Sequence, residues 1–155
     1  MRAVVAAGGI GLLVALLGTP LYIRFLIRRQ YGQFIRQDWP ESHHVKRGTP
    51  TMGGVIIIVA TIFGWIIANL TTGDGRPNAS SLLVVFLMCG LGLVGFLDDY
   101  LKISNERSLG LRARYKILGQ GVVGIAFGVL ALQFPDEDGI TPASTAVSFL
   151  RDTAL

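Results

Sequence analysis

The sequence predicts an all-α integral membrane protein with four transmembrane helices. Three observations carry that prediction. The chain is 51% hydrophobic and only 15% charged, with a mean hydropathy of +0.54, whereas a soluble domain carries about 25% charged residues. Its apolar residues fall into four runs that meet or approach the roughly 20 residues needed to cross a bilayer core. The charged residues cluster between those runs rather than within them. Lipid offers no partner for an open backbone, so the runs must be helices.

The elements follow in order along a single membrane domain, 1–155. The first span is expected over 3–27, with Pro20 as a candidate kink. Arg2 ahead of an apolar run resembles a signal peptide, but the run over 3–23 is longer than a signal core and no A-x-A site follows it, so it reads as an uncleaved span. The second span is expected over 52–70. Gly48 and Pro50 break any regular helix before it, and Thr49 or Thr51 is placed to cap its N-terminus. The third is expected over 79–97 and contains the single cysteine, Cys89, which reads as a small apolar packing residue. The fourth is expected over 117–134. The remainder, 135–155, has one short apolar stretch that stops at Arg151 and Asp152, and does not span.

Two glycine patterns are better read as helix packing than as ligand motifs. G-L-G-L-V-G at 90–95 has the dinucleotide fingerprint's spacing but lies inside an apolar span, without the preceding strand that fingerprint needs. G-I-A-F-G at 124–128 is a small-residue spacing that lets helices approach closely. N-L-T at 69–71 and N-A-S at 78–80 match the glycosylation sequon, and both read as chance triplets.

Orientation follows from the basic residues, because loops rich in lysine and arginine stay in the cytoplasm. Arg24, Arg28, Arg29, Arg36, Lys46 and Arg47 lie between spans one and two. Lys102, Arg107, Arg112, Arg114 and Lys116 lie between spans three and four. The stretch 71–78 has Arg76 alone, and 135–142 has none but carries Asp136, Glu137 and Asp138. The two basic loops are therefore expected inside, with the N-terminus and the C-terminal segment outside; Arg2 is outweighed.

This puts Asp98 and Asp99, in F-L-D-D-Y-L-K at 96–102, at the cytoplasmic mouth of span three. Adjacent carboxylates diverge by about 100° on a helix. One can hold a hard cation such as Mg2+, and the other can act as a base. Alone, the pair reads equally as solvated aspartates at a helix end. Lys102 lies four residues after Asp98, on the same helical face, and Lys116 stands near the start of span four. Lysines beside aspartates at a membrane surface can be ion pairs or lipid anchors, or can share the charge of phosphate oxygens. The stretch E-S-H-H-V-K-R-G-T-P-T-M-G-G at 41–54 leads into a helix N-terminus, whose free N–H groups attract anions.

Together K-R-G-T-P-T-M-G-G at 46–54, F-L-D-D-Y-L-K at 96–102 and G-L-R-A-R-Y-K-I-L-G-Q at 110–120 resemble the phospho-N-acetylmuramoyl-pentapeptide transferases of bacterial peptidoglycan synthesis. These belong to the wider polyprenyl-phosphate sugar-1-phosphate transferases. The resemblance implies a ten-helix enzyme of the bacterial cytoplasmic membrane with its N-terminus outside and its active site on the cytoplasmic face. It implies that phospho-MurNAc-pentapeptide is moved from UDP-MurNAc-pentapeptide to undecaprenyl phosphate with Mg2+, giving lipid I and UMP. By motif, Asp98 and Asp99 become the catalytic pair, with Asp98 the favoured base for direct attack by the lipid phosphate. Lys46, Thr51, Lys102 and Lys116 become phosphate- or nucleotide-binding residues, and Asp99 a metal ligand.

The family's later N-x-x-N-x-x-D-G-L-D-G-L stretch and its histidine-rich loop have no counterpart in these 155 residues. That stretch holds the main metal-binding aspartate, which the resemblance therefore places beyond Leu155. His43 and His44 do not substitute for the histidine-rich loop and read as interface histidines. The chain is expected to carry part of a site and to be inactive alone. Membrane lipids are expected neighbours and nucleic acid is not; the sequence does not decide between a monomer and a homodimer. Two alternatives stay open: another polyprenyl-phosphate sugar-1-phosphate transferase, or a non-enzymatic transporter or ion-binding subunit, which would want its carboxylates near mid-membrane.

Overall fold

The computed structural model describes residues 2–29, 31, 51–72, 77–105, 110–135, 141–143, 146–147 and 150–154. Four helices form its body: α1 (Arg2–Arg28), α2 (Gly54–Thr72), α3 (Ala79–Ser104) and α4 (Ala113–Gln133). All four are long and apolar enough to cross a membrane. A small antiparallel hairpin, β1 (Ala146–Val147) with β2 (Leu150–Ala154), follows them. Composition indicates a non-spanning tail there, without a strand; the structure adds the strands. The pairing is short and irregular, with Ala146 opposite Ala154 and Val147 opposite Leu150.

Each helix starts and runs as its residues dictate. α1 continues through Pro20, while the neighbouring Thr19 hydroxyl donates to the Ala15 carbonyl at 2.5 Å. α3 is capped by Asn78, whose side chain accepts the Ser80 N–H at 2.7 Å. Asn69 lies within α2 and donates its amide to the Trp65 carbonyl at 2.9 Å. Both sequon asparagines thus have local structural work.

The start of α2 differs from the expectation of a threonine cap. The helix begins at Gly54, and the Thr51 hydroxyl, buried, has no hydrogen-bond partner among the described residues. The Met52 carbonyl instead accepts the Val55 N–H at 3.1 Å. Thr49 lies outside the described residues.

Among the described residues each helix packs on its neighbours in the chain, α1 most extensively along α2. That seam is built from small residues. Ala60, Gly64 and Ala68 recur every fourth position on α2 and all three are buried. A Cβ on Gly64 would come within 2.5 Å of the Ala7 carbonyl oxygen and 3.0 Å of the Gly11 nitrogen. With no hydrophobic force between helices in lipid, such close approach supplies the van der Waals contact that holds them.

The expected glycine packing holds only in part. Gly90 faces Val123 of α4 and Gly92 faces Ile58 of α2, but a Cβ on Gly124 or Gly128 would meet nothing within 4 Å. Small spacing in α4 therefore does not mark a contact among the described residues.

Large side chains point outward throughout: Val5, Leu17 and Ile125 are 74%, 70% and 70% exposed. A soluble fold would bury such groups; a helix in lipid need not.

Candidate functional site

The site begins with the length of α3. Its 26 residues extend about 39 Å at 1.5 Å each, against a hydrocarbon core of about 30 Å. Counted from Ala79, the apolar stretch is long enough to cross by Leu97. The helix then carries Asp98, Asp99 and Lys102 onward in its last turns, so these groups keep fixed spacing at a membrane boundary instead of entering a loop.

Asp98 turns inward and is buried at 7% exposure. Its Oδ2 is 2.7 Å from the Lys102 ammonium and 3.4 Å from that of Lys116, near the start of α4. Its Oδ1 accepts the Leu111 main-chain N–H at 2.9 Å. Lys102 also reaches Oδ1 of Asp99 at 3.0 Å. One lysine thus bridges the two divergent carboxylates, and a second arrives from the next helix. A buried carboxylate is tolerated only when its lone pairs are answered this fully. The lysines are the less buried side of the arrangement, 33% and 44% exposed at their side chains.

The start of α2 supplies the opposite wall. Met52, Gly54, Val55 and Ile58 line a cavity of about 400 Å³ together with Gly92, Gly95 and Phe96 of α3. Asp98, Asp99, Lys102 and Lys116 line the same cavity. Neither Gly54 nor Gly95 has an atom within 4 Å of where a Cβ would stand, so main chain is open there. Met52 holds this wall in a costly conformation: its φ of 68° is left-handed, and it is buried at 6% exposure. Such a residue persists only where its surroundings fix it. Here the Tyr22 hydroxyl of α1 donates to the Met52 carbonyl at 3.3 Å, and the Thr51 N–H donates to the Tyr31 carbonyl at 3.3 Å.

Of the residues singled out in the sequence, Asp98, Asp99, Lys102 and Lys116 meet in one cavity. Thr51 stands beside that wall without being among the lining residues. Lys46, His43 and His44 lie outside the described residues. Sequence reasoning missed Gly110, Leu111, Met52 and Tyr22. Three of these act through main-chain atoms, which side-chain patterns do not reveal.

The donors offer a phosphate two ammonium groups, and a hard cation two carboxylates. Among the described residues no group of three metal-ligating side chains occurs. The further metal-binding aspartate expected beyond Leu155, like Leu155 itself, lies outside the described residues. Mg2+ usually needs only one or two carboxylates beside water and substrate phosphate, so the chemistry of the set fits that ion.

Comparison with known proteins bears on the same cavity wall. Residues 46–58 match a family model described as phospho-N-acetylmuramoyl-pentapeptide-transferase signature 1, and Met52, Gly54, Val55 and Ile58 of the cavity wall fall within it. Over its full length the chain is 63% identical across 155 residues to a phospho-N-acetylmuramoyl-pentapeptide-transferase of Beutenbergia cavernae, covering 43% of that protein. It is 64% identical across 157 residues to one of Kineococcus radiotolerans, again covering 100% of the chain and 43% of the relative. A Streptomyces griseus protein of the same name is 57% identical across 152 residues, covering 98% of the chain and 42% of the relative. No solved structure matches the chain. The chain therefore spans well under half the length of the curated relatives it matches. At these identities, and with the family signature on its cavity wall, the chain is similar over its whole length to a part of the phospho-N-acetylmuramoyl-pentapeptide transferases.

Proposed function

We propose that this chain forms part of an enzyme that transfers phospho-MurNAc-pentapeptide from UDP-MurNAc-pentapeptide to undecaprenyl phosphate, releasing UMP and producing lipid I. The observation that carries the reading is the cavity in which two aspartates and two lysines stand against the family signature at the start of α2. An oxygen of the lipid phosphate attacks the sugar-linked phosphorus of the UDP-sugar. The bond from that phosphorus to the bridging oxygen breaks, and the electron pair leaves with UMP.

The residues present suit this exchange. Lys102 and Lys116 take up phosphate oxygens and spread their charge. As the lysines turn to the arriving phosphate, Oδ2 of Asp98 is released to hold the proton of the lipid phosphate. Asp99 would hold Mg2+, which would supply charge neutralisation on the phosphates when bound. The resemblance implies that a further aspartate, outside these 155 residues, joins the same ion. The resemblance of residues 46–54 to the family implies that Thr51 and Lys46 serve the phosphate and nucleotide region. The apolar wall of Val55, Ile58 and Phe96 suits the polyprenyl chain near its head. The lysines and arginines between the spans support the cytoplasmic face for this chemistry, with the N-terminus outside.

The test is UMP release by the full-length protein containing this chain, supplied with both substrates. Asp98→Asn and Asp99→Asn are each expected to lower turnover by roughly a hundredfold or more with the protein still folded. Near-normal turnover in both variants removes the pair from the mechanism. Chelation with EDTA is expected to stop the reaction, and added Mg2+ to restore it.

A further inference from the structure

Two kinds of donor hold Asp98. Oδ2 takes two lysine ammonium groups. Oδ1 takes a neutral main-chain N–H, that of Leu111, at 2.9 Å. The lysines sit on long rotatable stems and can follow an arriving phosphate. The amide cannot, because Leu111 lies just ahead of Arg112, the residue that caps α4.

This contact depends on Gly110. A Cβ at Gly110 would strike the Asp98 carboxylate and the Asp98 main-chain carbonyl. The Gly110 backbone does not lie in the left-handed region, so its conformation does not demand glycine. Space does. The missing side chain lets the segment lie directly against α3 and deliver the Leu111 N–H to the carboxylate.

We propose that Gly110 and the Leu111 amide form a clamp that orients Asp98, fixing Oδ1 so that Oδ2, the oxygen the lysines can vacate, faces the phosphates. Gly110 is a positioning residue and not a catalytic one. The proposal rests on reading the chain as part of a phosphoglycosyl transferase, and it goes further by assigning separate duties to the two oxygens of one carboxylate.

The experiment uses the full-length protein and three variants: Gly110→Ala, Asp98→Ala, and Gly121→Ala as a control in open space on α4. Small misplacement of a reacting group costs roughly tenfold to a hundredfold in rate. Gly110→Ala is expected to lose about that much in kcat, with KM for both substrates within about twofold, while Gly121→Ala keeps the wild-type rate. Hydrogen exchange at the Leu111 amide gives a second readout. The amide is expected to be protected in the wild type and to exchange about tenfold faster or more in Asp98→Ala, having lost its acceptor. Wild-type kcat in Gly110→Ala, or unchanged Leu111 exchange in Asp98→Ala, overturns the clamp. If Gly110→Ala fails to fold, the exchange measurement decides. A wild-type protein that releases no UMP sinks the transferase reading instead, and leaves the exchange result to judge the clamp.

Discussion

Lys102 is the residue most exposed to test, because among the described residues it alone touches both carboxylates, at 2.7 Å and 3.0 Å. Replacing it with methionine leaves Asp98 with Lys116 and the Leu111 amide, and leaves Asp99 without its side-chain partner among the described residues. Since Lys102 is a third exposed, the stability cost is only about 1 kcal/mol. The functional cost is larger. A charge-assisted hydrogen bond to phosphate contributes about 1.5–3 kcal/mol, so Lys102→Met in the full-length protein should lower kcat/KM by roughly 10- to 100-fold. Thermal unfolding and UMP release on the same preparation check both numbers; a large loss of melting temperature with unchanged turnover would make the lysine structural. The charged half of the site was legible because it obeys helical spacing: Lys102 falls one turn after Asp98, and an acidic pair at the end of an apolar run demands an answer. The half that was not legible acts through main chain. Nothing in S-L-G-L says that Gly110 lies under Asp98, and nothing in P-T-M-G says that Met52 turns left-handed with its carbonyl held by Tyr22.

Among elements, the pairing of α1 with α2 depends on how closely two backbones can approach. Gly64 is the tightest point, since its Cβ would stand 2.5 Å from the Ala7 carbonyl oxygen. Gly64→Ala must push the helices apart and should cost about 1–3 kcal/mol. Gly124→Ala adds its methyl to open space and should change stability by less than about 0.5 kcal/mol. Unfolding of the 155-residue chain in detergent, with helix content as the signal, compares them; equal costs would mean the seam is not where the close approach lies. Here the sequence misleads. G-x-x-x-G at 124–128 is the textual match, yet the working stripe is Ala60, Gly64 and Ala68, where two of three residues are alanine. Hydropathy places helices well, because lipid punishes every other backbone, but it cannot say which small residue meets a neighbour. The terminal hairpin was unreadable for a similar reason: a few irregular pairs leave no periodic trace.

For the molecule as a whole, function depends on which side of the membrane the cavity opens. On the proposed transfer, undecaprenyl phosphate is held in the bilayer whereas a UDP-sugar is charged and soluble, so the two must meet at one boundary. α3 is the ruler for this. With 26 residues and about 39 Å of length it exceeds the hydrocarbon core by about 9 Å, and all of its charged side chains lie at the C-terminal end. The polar start at Asn78 and the charged end at Lys102 must therefore lie on opposite sides. By the positive-inside rule, the basic residues around α3's end favour the proposed cytoplasmic placement of that end. Single cysteines placed at Pro77 and Ser104 in a Cys89→Ser background of the full-length protein test the assignment, since both positions are exposed. An impermeant maleimide should modify Pro77→Cys in intact cells, and Ser104→Cys only after the membrane is opened. The reverse pattern would turn the cavity outward, away from the nucleotide sugar, and would leave two buried-edge aspartates and their lysines with no phosphate to receive.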